Sequence, residues 1–175
     1  FILNSHYRSP LNYSQDTLQE AQAGLTRLYT ALRGLQPLQP ISDLNGDPYA
    51  DRFREAMDDD FNTAEAIAVL FDLAREVNRL KSTDPAEANV VSSRLMGLAS
   101  HLGLLESDPD QFLKGGSQPS PSEEVSEETI NALILQRQTA KAEKNWAEAD
   151  RIRKHLSEQG IVLEDSPAGT IWRRE

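Results

Sequence analysis

The sequence predicts a mainly α protein: an antiparallel helical bundle followed by a small α+β unit of two helices and a β-hairpin. Three observations carry this. Apolar residues recur at spacings of three and four through the first part of the chain. A polar run at 106–128, "ESDPDQFLKGGSQPSPSEEVSEE", is rich in Gly, Pro, Ser and Glu and reads as a flexible, partly disordered linker. Beyond it, a helical period gives way to two short β-prone runs joined by "SPAG".

Residues 1–14 read as a junction: the end of a helix, a turn at Ser9-Pro10, then an extended stretch to Ser14, a plausible N-cap. Leu18, Ala21, Leu25, Leu28, Leu32 and Leu35 form one apolar stripe, ended by Pro37 and Pro40. Asp47-Pro48 is an N-cap followed by proline at the first helical position, and Tyr49, Phe53 and Met57 share a face of the second helix. A third helix begins in "DDDFNTAEAIAVLFDLAREVNRLK", with Asn62 and Glu65 in a capping-box-like pattern and Ile67, Leu70, Phe71, Ala74 and Val77 on its buried face. Asp84-Pro85 opens a fourth, lined by Val91, Leu95, Leu98 and Leu102 and ended by Gly103. Residues 15–105 are therefore expected to form a four-helix antiparallel bundle. After the linker, residues 129–175 form the small unit. Ile130, Leu133, Ile134 and Arg137 start one helix; Trp146, Ala149, Ile152 and Leu156 mark another; "IVLED" and "TIWRR" form the hairpin, with Pro167 and Gly169 in its turn.

Composition narrows the function. The chain has 175 residues, 38% hydrophobic and 26% charged, which suffices for a core. It holds no run long and apolar enough for a transmembrane helix, so no membrane role is expected. "FILNSHYRSP" lacks a signal peptide's basic start and apolar core, and reads as the continuation of a longer chain. There are no Cys, which excludes disulfides and thiolate metal sites and fits a cytoplasmic setting. His6, His101 and His155 have no paired ligand spacing, so a His-built zinc site is not expected. No Gly-rich phosphate loop and no nucleophile elbow appears, and no catalytic residue is assigned. The net charge of −10 argues against a non-specific nucleic-acid binder. That charge is uneven: residues 1–128 contain 10 Lys+Arg and 21 Asp+Glu, whereas 129–175 contain 8 and 7.

The tail is the informative part, because it holds both Trp residues among Arg and Lys. Trp146, Asp150 and Arg153 stand at i, i+4 and i+7 on one helix face. Asp165 ends the first β-run, and Trp172, Arg173 and Arg174 lie on the second. If the hairpin packs beside that face, a ring, carboxylates and guanidinium groups converge. Unstacked RNA bases are read by this combination: aromatics stack on the base face and charged groups bond its edges. The pattern alone also admits a plain reading, with Trp146 in the core and Asp150–Arg153 an exposed ion pair, and it leans that way. Trp172 reads as core, since so small a unit needs a large apolar anchor. Asp58, Asp59 and Asp60 could suggest Mg²⁺, but consecutive carboxylates cannot all face one ion. They read instead as an acidic helix start favoured by the helix dipole.

Three stretches, "HYRSPLNYS", "MDDDFNTAEAIAVLFDLAREVNRLK" and "KNWAEADRIRKHLSEQGIVLEDSPAGTIWRR", occur in an order that resembles the bacterial cysteinyl-tRNA synthetases, over nearly the whole chain. The resemblance implies a C-terminal fragment: a junction from a missing catalytic domain, a class Ia anticodon-binding bundle, and a small anticodon-recognition unit. It implies ATP with Mg²⁺ and a zinc ion in the missing domain and no cofactor in this chain, which is then inactive alone. It implies cysteine tRNA, with its GCA anticodon, as partner; the chain is expected to be a monomer. Trp146 would stack on an anticodon base, Arg153 and Asp165 would contact base edges, Asp150 would orient or contact nearby, and Lys141 would meet the backbone. Arg173 joins this anticodon-binding set. Lys at 141, where the family pattern expects Arg, would weaken a bidentate contact. Two readings compete. An acidic helical protein-interaction module predicts a protein partner and no response to tRNA. A carboxylate-metal enzyme on the Asp triplet predicts stabilisation by divalent cations.

Overall fold

A computed structural model of the chain describes residues 1–35, 40–41, 44–115, 126–166 and 169–174. It contains two compact units, Phe1–Asp110 and Gln111–Glu175.

The first unit is helical. A 3₁₀ turn at Ile2–Asn4 precedes α1 (Gln15–Leu32), which opens on a reciprocal cap: Thr17 N donates to Ser14 Oγ at 3.2 Å and Ser14 N to Thr17 Oγ1 at 3.1 Å. Leu28 and Leu32 of the apolar stripe are buried, as is Leu35 beyond the helix end, whereas Leu18 is exposed. Periodicity marks the apolar face but not how far a partner extends along it. The end of α1 is closed by Lys81, whose Nζ donates to the Thr30 carbonyl at 3.2 Å and the Arg33 carbonyl at 2.7 Å.

α2 (Pro48–Asp58) starts where Asp47 Oδ1 accepts from Tyr49 N and Ala50 N, and it buries Ala50, Phe53 and Ala56. α3 (Thr63–Leu80) packs against α1, α2 and α4 (Pro85–Ser100). Three partners bury more than one stripe, which is why Val69 and Leu73 are in the core beside Ile67, Leu70, Ala74 and Val77. α4 is capped by Asp84 and buries Val91, Leu95 and Leu98. Gly103 beyond it takes φ +65°, the left-handed conformation a helix stop requires.

The acidic triplet is not a helix start. Asp58 ends α2, Asp59 is its C-cap, and Asp60 and Phe61 take consecutive positive φ values of 55° and 54°. Asn62 is the residue that caps α3, accepting from Glu65 N at 3.2 Å. Asp60 is held by the N-terminal segment: Tyr7 Oη donates to its Oδ1 at 2.8 Å, and the Arg8 guanidinium lies 3.1 Å away. The triplet is thus a turn pinned by "HYR", and its charges sit at a helix C-terminus, where the dipole does not favour them.

In the second unit, α5 (Pro109–Leu113) crosses the boundary between the units, and α6 (Glu127–Ala142) begins at a Ser126 cap that accepts from Thr129 N at 3.2 Å. α5 lies wholly and α6 partly within the expected linker, which also contains Lys114, whose ammonium sits 5.4 Å from the Trp172 ring centroid and 2.6 Å from Glu127 Oε1. The middle of that linker, 116–125, lies outside the described residues, as do Pro37 and Pro167. α7 (Trp146–Glu158) leads into antiparallel strands β1 (Ile161–Ser166) and β2 (Gly169–Arg174), with Leu163 opposite Trp172 and Asp165 opposite Thr170. Ile130, Ile134, Ile152, Leu156, Ile161 and Trp172 form the core. Trp172 is 4% exposed, and its indole N–H donates to Asn131 Oδ1 at 3.2 Å, the partner a buried Trp requires.

One close approach in the first unit is testable. A Cβ at Gly97 of α4 would lie 2.1 Å from the carbonyl oxygen of Ile41, whose own N–H donates to the Ser93 carbonyl at 3.1 Å. Gly97→Ala is expected to destabilise the chain by about 1–3 kcal/mol despite alanine's better helix propensity. Urea denaturation would measure this, and an unchanged midpoint would contradict it.

Candidate nucleic-acid interface

The candidate site is built at one end of the second unit. α6 stops at Ala142, Lys144 turns the chain with a left-handed φ of 58°, and Asn145 caps α7 by accepting from Glu148 N at 3.3 Å. β1 runs back from the far end of α7 and carries Asp165 near its own end. Asp165 therefore reaches Lys141, near the turn between the helices.

Trp146 is the first residue of α7 and is 61% exposed, so it is not a core residue as the bare pattern leans. Ala149, Ile152 and Leu156 form the buried face of α7 instead. The stripe of Trp146, Asp150 and Arg153 lies about a quarter-turn from that face, given 3.6 residues per turn. Asp150 and Arg153 are both exposed.

Asp165 is the centre of the polar cluster. The Arg137 guanidinium grips it with two parallel bonds, one to each oxygen, both 2.9 Å. Lys141 Nζ donates to Oδ2 at 2.8 Å, and Thr170 Oγ1 donates to Oδ1 at 2.7 Å. The bonds from Arg137, Lys141 and Thr170, in that order of effect, hold the Asp165 carboxyl well below the usual carboxylate range. The same pairing raises the Arg137 guanidinium, with Asp150 adding a smaller electrostatic contribution.

Trp146 follows the turn beyond α6, which ends one residue after Lys141, and Lys141 and Asp165 are brought together. Arg173 is not. Side chains alternate along a strand, so Asp165, Leu163, Thr170 and Trp172 share one face of the hairpin, while Val162, Glu164, Ile171 and Arg173 share the other. Arg173 bonds Glu164 there, Nε to Oε1 at 3.2 Å. Lys141, expected to meet an RNA backbone, lies on Asp165 in the free chain. Arg137 is the residue the site reading missed. Its side chain is 8% exposed, on the apolar stripe with Ile130 and Ile134. A charge on a buried stripe demands a partner, and that was the available signal.

The arrangement offers an exposed ring, an ionised carboxylate and nearby cations, which can stack on a base and bond its edge. Among the described residues no group of three or more His, Cys, Asp or Glu side chains could hold a metal ion. No helix among them is long and apolar enough to cross a membrane. With no cysteine in the chain as well, these residues do not suit a thiolate zinc site.

Comparison with known proteins agrees with this geometry. Residues 52–106 match the DALR domain, and residues 125–173 match the cysteinyl-tRNA ligase anticodon binding domain. The second match contains the whole polar cluster and Trp146. The class is thus the anticodon-binding region of a tRNA ligase. The chain is 58% identical over 175 residues to a cysteine–tRNA ligase of Pectobacterium carotovorum, covering 100% of this chain and 37% of that protein. It is 57% identical to that of Thioalkalivibrio sulfidiphilus, covering 99% of this chain and 36% of the relative. It is 55% identical to that of Escherichia coli O17:K52:H18, covering 100% and 37%. The chain is similar to these cysteine–tRNA ligases along its whole length and spans little more than a third of theirs.

The cluster predicts a pH response. A carboxyl whose folded pKa is depressed contributes stability above its unfolded pKa, and that contribution is lost as pH falls through the folded value. The Asp165 carboxyl carbon should therefore show no NMR inflection as pH is lowered to about 3, below the ordinary aspartate range. An inflection near the ordinary aspartate value would mean that the cluster does not form in solution.

Proposed function

We propose that this chain is the tRNA-recognition region of a cysteine–tRNA ligase and that its second unit reads the GCA anticodon of cysteine tRNA. The observation that carries this is the Asp165 cluster together with an exposed Trp146, both inside the segment that matches the anticodon binding domain. Trp146 stacks on an unpaired base, and Asp165, with Asp150 and Arg153 alongside, meets base edges. Attachment of cysteine to tRNA, with its ATP, Mg²⁺ and zinc, belongs to a catalytic domain outside this chain, in a cytoplasmic enzyme. The first unit is an acidic helical body, and its like charge disfavours loose binding to other RNA. Selection then rests on base contacts.

Both Trp residues lie in the tail, one exposed and one buried, which makes fluorescence a direct test. Adding cysteine tRNA at moderate salt should quench the emission, and a transcript with a replaced anticodon should quench it far less. Trp146→Ala should remove the quench and cost about 1–3 kcal/mol of binding, with melting unchanged because the ring is exposed. Equal quenching by both transcripts would mean backbone binding without base reading. No response to either would favour the protein-interaction reading.

A further inference from the structure

The Asp165 carboxylate is saturated. An ionised carboxylate offers about four lone-pair sites and no donor. Among the described residues, Oδ1 accepts from Arg137 and Thr170, and Oδ2 accepts from Arg137 and Lys141. The carboxylate is nonetheless 48% exposed, so a base can approach it. A base amino group that approaches finds no vacant acceptor. One of the three donors must leave before Asp165 can read a base.

The donors are not equally able to leave. Arg137 is fixed by a planar fork and by burial, with its Nε enclosed and, among the described residues, without a hydrogen-bond partner. Withdrawing it would strand a buried cation. Thr170 is the cross-strand neighbour of Asp165, held in place by the hairpin register. Lys141 is 37% exposed in the last turn of α6, a point charge on a flexible stem. A phosphate serves its ammonium as well as a carboxylate does.

Resting on the anticodon-reading function proposed above, we propose that RNA is taken up by donor exchange at Asp165: Lys141 moves from the carboxylate to the RNA backbone, the vacated lone pair accepts from a base amino group, and Arg137 stays as the positioning residue that aims the carboxylate. The exchange couples phosphate binding to base reading. A base with an amino group replaces the bond that Lys141 relinquishes. A base that presents a carbonyl there leaves the carboxylate short of a donor and oxygen facing oxygen, so Lys141 returns. The ligand class is therefore a single-stranded RNA base with an exocyclic amino group, next to a phosphate within reach of Lys141.

The test titrates the 175-residue chain with the GCA transcript and with transcripts carrying uracil at one anticodon position at a time, across a salt series. Lys141→Met should weaken the GCA transcript and make its log–log salt slope shallower by about 0.7, with a smaller effect on the transcript carrying uracil at the position Asp165 reads, where Lys141 stays on the carboxylate. Arg137→Lys retains the charge but not the fork; it should lower the melting temperature and, measured at a temperature where the variant is folded, lose about tenfold or more of the discrimination against uracil at the position Asp165 reads. In the unaltered chain, the hydrogen-bond NMR coupling between the Lys141 ammonium nitrogen and the Asp165 carboxyl carbon should be present without RNA and absent with it. This measurement holds whether or not a variant folds. A coupling that persists in the complex, or a Lys141→Met salt slope equal to that of the unaltered chain, would overturn the exchange. Full discrimination by a folded Arg137→Lys would overturn the positioning role. An unaltered chain that binds all transcripts alike would instead remove the anticodon-reading function, and the exchange with it.

Discussion

The second unit depends on one constraint: a guanidinium lies on a buried helix face and needs a carboxylate. Arg137 occupies the apolar stripe of α6 with Ile130 and Ile134, and only a bidentate acceptor offsets its desolvation well. Asp165 supplies it from the hairpin. The pair fixes where β1 ends relative to α6, and the Asp165–Thr170 register then places β2. Trp172, two residues on from Thr170, falls into the core opposite Leu163. A slip of one residue would turn Asp165 away from Arg137 and Trp172 out to solvent together. The ion pair and the apolar core therefore specify the same register. The carboxylate that orders the hairpin is also the group aimed at solvent, so the fold and the site share one residue.

The first unit is organised differently. It depends on α3, which is buried against three helices and makes its polar contacts mainly at its ends and on its exposed side. The joins carry the polar work: Asp47, Asn62 and Asp84 satisfy the first N–H groups of α2, α3 and α4, and Lys81 closes α1 from beyond the end of α3. The turn at Asp60 and Phe61 has two successive left-handed residues that are not glycine. Such backbone is costly and persists where neighbours over-determine it, and here Tyr7 and Arg8 hold the Asp60 side chain.

Much of this was legible in the sequence, for reasons that differ by element. Apolar period and cap residues marked four helices because both signals are local. The hairpin was legible because "IVLED" and "TIWRR" alternate around a turn. The acidic triplet was misread because its partners, Tyr7 and Arg8, lie more than fifty residues away in the chain, and a run of Asp resembles a helix start when only its neighbours are considered. Trp146 was ambiguous for a related reason: a Trp at a helix start satisfies a stripe on paper, and only the placement of Ala149 and Ile152 settles which face is buried. The candidate site was legible as a set of residue types. That Lys141 and Arg137 converge on one carboxylate was not, because the contact joins a helix to a strand 24 and 28 residues away. Arg173 was drawn toward the site by its neighbours in sequence, although strand alternation puts it on the other face.

The two Trp residues show how so small a unit divides its labour. Trp172 supplies the apolar mass that the core needs and hides its N–H on Asn131. Trp146 is left mostly exposed, which stability alone does not explain for a ring of that area. An exposed ring in the same small unit as a preformed carboxylate makes sense as a surface awaiting a flat, hydrogen-bonding ligand. The preformed part matters most. Arg137 keeps Asp165 ionised and oriented before any ligand arrives, so little ordering remains to be done on binding. The flexible member is Lys141, whose charge suits carboxylate and phosphate alike. Rigidity at Arg137 and mobility at Lys141 place both requirements of selective recognition, orientation and release, on one helix one turn apart.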